Sequence, residues 1–126
     1  MLKKTITYVD YEGVERKEDF YFNLSRAELL DLDLNQDGGM KAYLQEIIDA
    51  KDKVKIWNVF TKLVKLSYGV KTDDGKRFKK NPELTDAFVQ SEAFSELMVE
   101  LTSNENAAAA FANGILASVA KVREDK

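Results

Sequence analysis

The segment from Val54 to Tyr68, VKIWNVFTKLVKLSY, constrains the fold more than any other part of the sequence. Wound at about 100° per residue, it places its apolar residues on one broad arc and its lysines on the other side. The arc consists of Ile56, Trp57, Val59, Phe60, Leu63, Val64, Leu66 and Tyr68. A surface helix with a single neighbour needs an apolar stripe of only about 100°, so this pattern predicts a helix with other elements packed on two sides.

The end of this helix is predicted from Gly69, which directly follows the last apolar position. Glycine adopts the left-handed backbone conformation without a Cβ penalty, so Gly69 is expected to stop the helix there. The aromatic side chains of Trp57, Phe60 and Tyr68 are predicted to lie in the core.

Histidine and cysteine are both missing from the 126 residues. Without histidine, the chain lacks the commonest general base and the commonest metal ligand. Without cysteine, it cannot form disulfides, thiolate nucleophiles or cysteine-ligated zinc sites. The formal charge of −3, from 19 basic and 22 acidic residues, is too balanced to indicate binding to nucleic acid. We therefore predict no metal, no cofactor and no catalytic residues.

The apolar content indicates a globular protein. With 44% hydrophobic and 33% charged residues, the chain is predicted to form one domain over residues 1–126. No apolar run approaches the roughly 20 residues that cross a bilayer, and the N-terminus lacks the apolar segment of a signal peptide. We expect a cytoplasmic protein that does not enter the membrane.

Residues 1–23 predict a β-hairpin, since apolar and polar side chains alternate on both sides of a turn with Gly13 at positive φ. A lone two-stranded hairpin is marginal in water, so it is expected to rest on helices through Phe20 and Phe22. The predicted fold is α+β and mostly α, with this hairpin packed on a bundle of about five α-helices.

Residues 25–103 are predicted to form the helical bundle. A capping box from Ser25 to Glu28 begins the first helix, and an apolar stripe from Met40 to Ile48 marks the second. Asn81-Pro82 begins a helix after the central one, and Ser91 is expected to cap the next. Residues 70–81, between the central helix and the helix that begins at Asn81-Pro82, are interpreted as a loop with a β-like tip, with a small hairpin as the alternative.

Residues 104–126 form an alanine-rich segment, which Asn104 is predicted to cap and Ile115, Val119 and Val122 continue. Alanine favours helix and adds little side-chain volume. Two interpretations remain open at this point: a C-terminal helix that frays, or an arm that binds a partner.

The run from Asp33 to Gly38, DLNQDG, resembles the opening of an EF-hand calcium loop. The twelfth position of such a loop needs a bidentate glutamate, but here it is Leu44, which belongs to an apolar stripe. We therefore interpret the run as a turn between helices.

Two groups of charged residues are also interpreted as solvated surface. Lys76, Arg77, Lys79 and Lys80 surround Phe78, but acidic residues flank this basic group in an anionic chain. The carboxylate-rich segments 15–19 and 31–37 lack a nucleophile or a glycine-rich phosphate loop beside them. An acid–base enzyme without histidine is accordingly disfavoured.

Most of the chain to about Ala112 resembles tail assembly chaperones of long-tailed siphophages of Gram-positive bacteria. The resemblance is carried by an ensemble of scaffold positions and by no single motif. These are 8–16 (YVDYEGVER), 18–25 (EDFYFNLS), Glu28-Leu29, 37–39 (DGG), 68–71 (YGVK), 74–78 (DGKRF), 82–84 (PEL) and 91–97 (SEAFSEL).

This resemblance implies a non-enzymatic protein of the host cytoplasm, made during tail morphogenesis and absent from the mature virion. Such chaperones bind the tape measure protein and help recruit tail tube protein to it. Many are made in two lengths by ribosomal frameshifting, and this chain would correspond to the shorter form. Coating a long client favours many copies side by side, so a homo-oligomer is expected as well.

A chaperone of a helical client needs apolar surface into which an amphipathic helix docks. The predicted partner-binding residues are Phe94, Leu97, Met98, Leu101, Phe111, Ile115 and Val119. Core packing explains the same spacing in the first four. A rival interpretation of the whole chain is a small phage-encoded inhibitor or adaptor that binds a host protein.

Overall fold

The computed structural model describes residues 1–116, which form a four-stranded antiparallel sheet and six α-helices. The strands are β1 (Leu2–Val9), β2 (Glu15–Phe22), β3 (Tyr68–Lys71) and β4 (Phe78–Lys79). The helices are α1 (Arg26–Leu34), α2 (Met40–Ala50), α3 (Lys53–Ser67), α4 (Pro82–Val89), α5 (Glu92–Ser103) and α6 (Glu105–Leu116). The α+β class, the N-terminal hairpin and the mostly helical content are thus confirmed.

The hairpin of β1 and β2 pairs along its full length, from Leu2 opposite Phe22 to Val9 opposite Glu15. Its even-numbered side chains face the helices, where Ile6 and Phe22 are buried, while odd-numbered ones face solvent. Gly13 has a φ of 80°, which confirms the predicted turn. The hairpin therefore covers the helices with one face, as its alternation predicts.

Strands β3 and β4 form a second hairpin over residues 68–79, so the preferred interpretation of residues 70–81 as a loop was wrong. Val70 pairs with Lys79 and Lys71 with Phe78, while β3 also joins β2 through Gly69 opposite Tyr21. The turn between the strands is closed by Thr72, whose N–H donates to the Arg77 carbonyl at 2.9 Å. The sheet thus has four strands, in the order β1-β2-β3-β4.

The end of α3 differs from the prediction. Gly69 lies in β3 without a positive φ, and the chain leaves the helix through Tyr68 in an extended conformation (φ −68°, ψ 140°). Gly69 is required for a different reason, since a Cβ there would lie 2.5 Å from the carbonyl oxygen of Lys79. Glycine at this position allows the two strands to approach each other closely, and it does not stop the helix.

The apolar arc of α3 is narrower than predicted. Its buried apolar side chains are Ile56, Phe60, Leu63 and Val64. Trp57 is 45% exposed, and Leu66 is also exposed, so the prediction that Trp57 lies in the core was wrong. The two side chains flank the buried stripe and no described element covers them.

An aromatic cluster joins the sheet to the helices. The Tyr68 and Phe88 rings stack with their centroids 4.5 Å apart, and Phe22 of β2 meets Phe111 of α6 at 5.4 Å. Phe111 in turn lies 6.3 Å from Phe60 of α3. These contacts bring β2, α3, α4 and α6 into one core.

The predicted helix caps are confirmed at three of four positions. Ser25 and Glu28 form the capping box of α1, while Asn81 accepts from the Leu84 N–H at 2.8 Å. Asn104 accepts from the Ala107 N–H at 3.1 Å. Ser91 occupies the N-cap position of α5, but its hydroxyl donates backward to the Phe88 carbonyl and makes no cap bond.

Candidate protein-binding surfaces

The structure places the sequence-predicted partner residues of α5 and α6 in the core. Val119 lies outside the described residues. The other six are Phe94, Leu97, Met98, Leu101, Phe111 and Ile115, and each is at most 9% exposed. In this conformation they present no surface to a partner, because α6 packs against α2, α5 and β1.

Small residues bring α6 close to its neighbours. Ala108 and Ala112 are buried, as are Phe111 and Ile115, and a Cβ at Gly114 would lie 2.8 Å from a methyl of Leu2. A run of alanines therefore serves here as a close-packed helix face. Over its described residues, α6 is part of the folded core.

The DLNQDG run acts as a turn that begins α2. The carboxylate of Asp33 accepts a hydrogen bond from the Met40 N–H at 2.9 Å, and Leu44 is buried. Gly39 occupies the N-cap position of α2 and has no side chain that could accept a hydrogen bond from the first turn. The Asp33 carboxylate supplies that acceptor instead. This hydrogen bond was not predicted from the sequence. Its only signal there is an acidic residue seven positions before the first residue of α2.

One member of the basic group is tied to α1. Lys80 Nζ donates to both carboxylate oxygens of Glu28, at 2.7 and 2.9 Å, and lies 5.8 Å from the Phe78 ring centroid. Burial raises the Glu28 pKa, but hydrogen bonds from Lys80 and from the Ser25 N–H outweigh it and leave this pKa below its usual value. Lys76, Arg77 and Lys79 are exposed.

A first exposed apolar surface lies on α1, which buries none of its residues fully. Leu30 and Leu34, one turn apart, are 59% and 76% exposed. Four acidic residues and no basic residue occur between Ala27 and Gly39. We call Leu30, Leu34, Asp31, Asp33 and Asp37 the leucine patch.

A second exposed apolar surface lies at the start of α3. Val54 is 70% exposed and stands beside Trp57 on the helix. All four charged residues of α3 are lysines, and all are exposed. We call Val54, Trp57, Lys53 and Lys55 the tryptophan patch.

A third feature is a groove of about 400 Å³ where β2 and β3 diverge. The two strands pair only at Tyr21–Gly69 and Phe22–Tyr68, so the groove opens beyond them. Its walls are mostly apolar and include Phe20, Tyr68 and Val70, with burial raising the pKa of Tyr68. Its two charged lining residues are Asp19 and Lys71, and the Asp19 carboxylate accepts a hydrogen bond from the Thr5 hydroxyl at 2.6 Å.

The model of the phage tail assembly chaperone family matches residues 1–124. The chain belongs to the phage tail assembly chaperone family. No curated protein and no solved structure gives a significant match. The family membership confirms the resemblance seen in the sequence and accords with a non-enzymatic role in assembly.

The described part of the chaperone also bears on metal and membrane binding. Residues 1–116 contain no group of three metal-ligating side chains that could hold an ion. None of the helices in that range has the length and apolar character needed to cross a bilayer.

Proposed function

We propose that this chaperone binds the tape measure protein and helps recruit tail tube subunits to it during tail morphogenesis, without catalysis. The observation that carries the proposal is the family match over residues 1–124. It would act in the host cytoplasm and be absent from the mature virion. Exposed leucine, valine and tryptophan side chains support the proposal, since a client's apolar helices need apolar surface on the chaperone.

We propose further that α5 and α6 take part in client binding by exchange. A client helix would replace α6 against Phe94, Leu97, Met98 and Leu101. The released Phe111 and Ile115 would then add to the contact, together with Val119. Exposing Phe111 and Ile115 costs about 1.5–3 kcal/mol for each side chain. The exchange is favourable only with a client that refills the space, so it would not occur in the free chaperone.

Co-expression with the tape measure protein of the same phage tests both statements. We expect the chaperone to keep that protein soluble and to co-purify with it. In the purified complex, we expect amide hydrogen exchange in residues 105–116 to be faster than in the free chaperone. The exchange measurement is made on the same complex, so the two statements are judged separately.

The outcomes are distinct. A tape measure protein that stays insoluble and fails to co-purify contradicts client binding. A soluble complex with unchanged or slower exchange in 105–116 supports client binding and contradicts displacement of α6.

A further inference from the structure

We propose that a basic cleft beside the start of α1 binds a carboxylate-rich segment of a partner protein. The cleft has a volume of about 350 Å³ and lies between the tip of the β3–β4 hairpin and the first residues of α1. Four basic side chains line it, and we call them the basic cleft: Arg26, Lys71, Lys76 and Arg77. The proposal goes beyond the proposed function, because it holds for any partner with this chemistry.

The fold brings these side chains together from three parts of the sequence. Arg26 is the first residue of α1, Lys71 is the last residue of β3, and Lys76 and Arg77 lie between β3 and β4. Only the last two belong to the basic group recognised in the sequence, which was interpreted as solvated surface. Folding adds Arg26 and Lys71 to them, so that four cations line one cleft in a chain whose formal charge is −3.

Hydrogen bonds fix the turn that carries Lys76 and Arg77. The Thr72 hydroxyl donates to the Asp74 carboxylate at 2.6 Å and accepts from the Arg77 N–H at 3.1 Å. The same carboxylate accepts from the Lys76 N–H at 3.0 Å. Asp74 is thereby directed into its own turn. The backbones of Lys76 and Arg77 make these bonds, so their side chains take no part in them.

The positive charge of the cleft is not offset within residues 1–116. None of the four basic side chains forms an ion pair with another residue of that range, whereas the neighbouring Lys80 pairs with Glu28 at 2.7 Å. Lys71 Nζ donates to the carbonyl oxygen of Thr72 at 3.3 Å, which leaves its charge in place. No acidic residue of the described chain lines the cleft. Such a concentration of one sign of charge attracts an anionic ligand.

Carboxylates suit this cleft better than the phosphates of nucleic acid. An arginine binds a carboxylate through two parallel N–H donors, and the cleft provides Arg26 and Arg77. The half-buried Phe78 adds an apolar wall for a neighbouring side chain of the segment. Nucleic acid instead needs cations that follow its backbone over several nucleotides. Here the cations converge, and Asp73 and Asp74 lie in the same turn.

The test uses the full chain and fluorescein-labelled octaglutamate, with binding measured by fluorescence anisotropy at low and at physiological salt. Wild type is expected to bind this peptide, and to bind it more weakly at the higher salt, because salt screens exposed charges. Arg26→Glu and Arg77→Glu are each expected to weaken binding by about tenfold or more, since an attraction becomes a repulsion. Chemical shifts of the isotopically labelled wild type should move mainly in residues 24–26 and 71–78.

Lys53→Glu is the matched control, since it makes the same change in net charge at an exposed position. Lys53 begins α3, and the 15 residues of this helix place it about 20 Å along the helix from β3. Salt at about 0.1 M screens charges beyond about 10 Å, so this variant should change binding less than about twofold. Arg26→Glu places an acid in the first turn of α1, which the helix dipole stabilises. Circular dichroism should therefore show it folded, so that lost binding is not lost folding.

Four results would each overturn the proposal. The first is a wild type that does not bind octaglutamate at low salt. The second is a loss in Lys53→Glu as large as that in Arg77→Glu, and the third is a set of chemical-shift changes centred outside the cleft. The fourth is tighter binding of an oligothymidylate of the same charge at the same salt, which would assign the cleft to nucleic acid.

Discussion

At the scale of single residues, Gly69 lies where the sheet leaves no space for a side chain. A Cβ there would be 2.5 Å from the Lys79 carbonyl oxygen and 2.6 Å from a carbon of the Phe78 ring. We predict that Gly69→Ala lowers the free energy of unfolding by about 2 kcal/mol, because β3 and β4 must move apart. Guanidinium denaturation measures the change.

Gly114→Ala is the matched control for this prediction. A Cβ at Gly114 meets the methyl groups of Leu2, the end of a flexible side chain that is able to turn away. Alanine is also the better helix former, by about 1 kcal/mol. Gly114→Ala should therefore leave stability unchanged or raise it, and equal losses in the two variants would contradict the steric explanation for Gly69.

The structural role of Gly69 could not be predicted from the residues next to it in the sequence. A glycine directly after a run of helical apolar residues is usually explained as a helix stop, and that explanation was wrong for Gly69. The actual requirement comes from Phe78 and Lys79, which the β3–β4 hairpin brings close. Trp57 was misplaced for a related reason, since periodicity identifies an apolar arc but not how much of the arc its neighbours cover.

At the scale of elements, α1 depends on polar contacts because it buries no residue fully. We predict that Glu28→Gln lowers stability at pH 7 by a few tenths to about 1 kcal/mol, since glutamine retains the capping box but loses the charge facing Lys80. The folded-state pKa of Glu28 is lowered from its ordinary value of 4.5. The contribution of Glu28 to stability is therefore present above that value and is lost as the pH falls through the folded-state pKa.

The difference in unfolding free energy between wild type and Glu28→Gln should therefore shrink towards pH 3. Glu46→Gln is the control, since Glu46 is exposed on α2 and has no ion-pair partner among the described residues. Amide exchange in residues 26–34 should become faster only in the Glu28 variant. A difference that persists unchanged at pH 3 would mean that the Lys80 charge pair is not its origin.

The elements differ in how well the sequence predicts them. Helix starts were predicted to within about a residue, because Ser25, Asn81 and Asn104 act through bonds within three residues of chain. Strands β3 and β4 are too short to show a period, and the pairing of β3 with β2 joins residues that are distant in sequence. The apolar spacing of α5 and α6 is the same for a core face and a binding face, so spacing alone did not show that these residues are buried.

At the scale of the whole molecule, Phe111 connects α6 to both the sheet and α3, with centroids 5.4 Å from Phe22 and 6.3 Å from Phe60. We predict that Phe111→Ala costs about 3–5 kcal/mol, the usual loss for a buried phenylalanine. Trp57, the single tryptophan, reports on α3 through fluorescence, while far-UV circular dichroism reports on all helices. Both signals should shift together to lower denaturant, and Val99→Ala should leave them unchanged.

An independent arm would behave differently. If α6 folded apart from the core, Phe111→Ala would remove part of the helical signal and leave the Trp57 transition where it was. Coincident transitions instead mean that α6 belongs to the same cooperative unit as the sheet and α3. The measured loss then also sets a scale for client binding, because a client that displaces α6 must replace the contacts that Phe111 makes with Phe22 and Phe60.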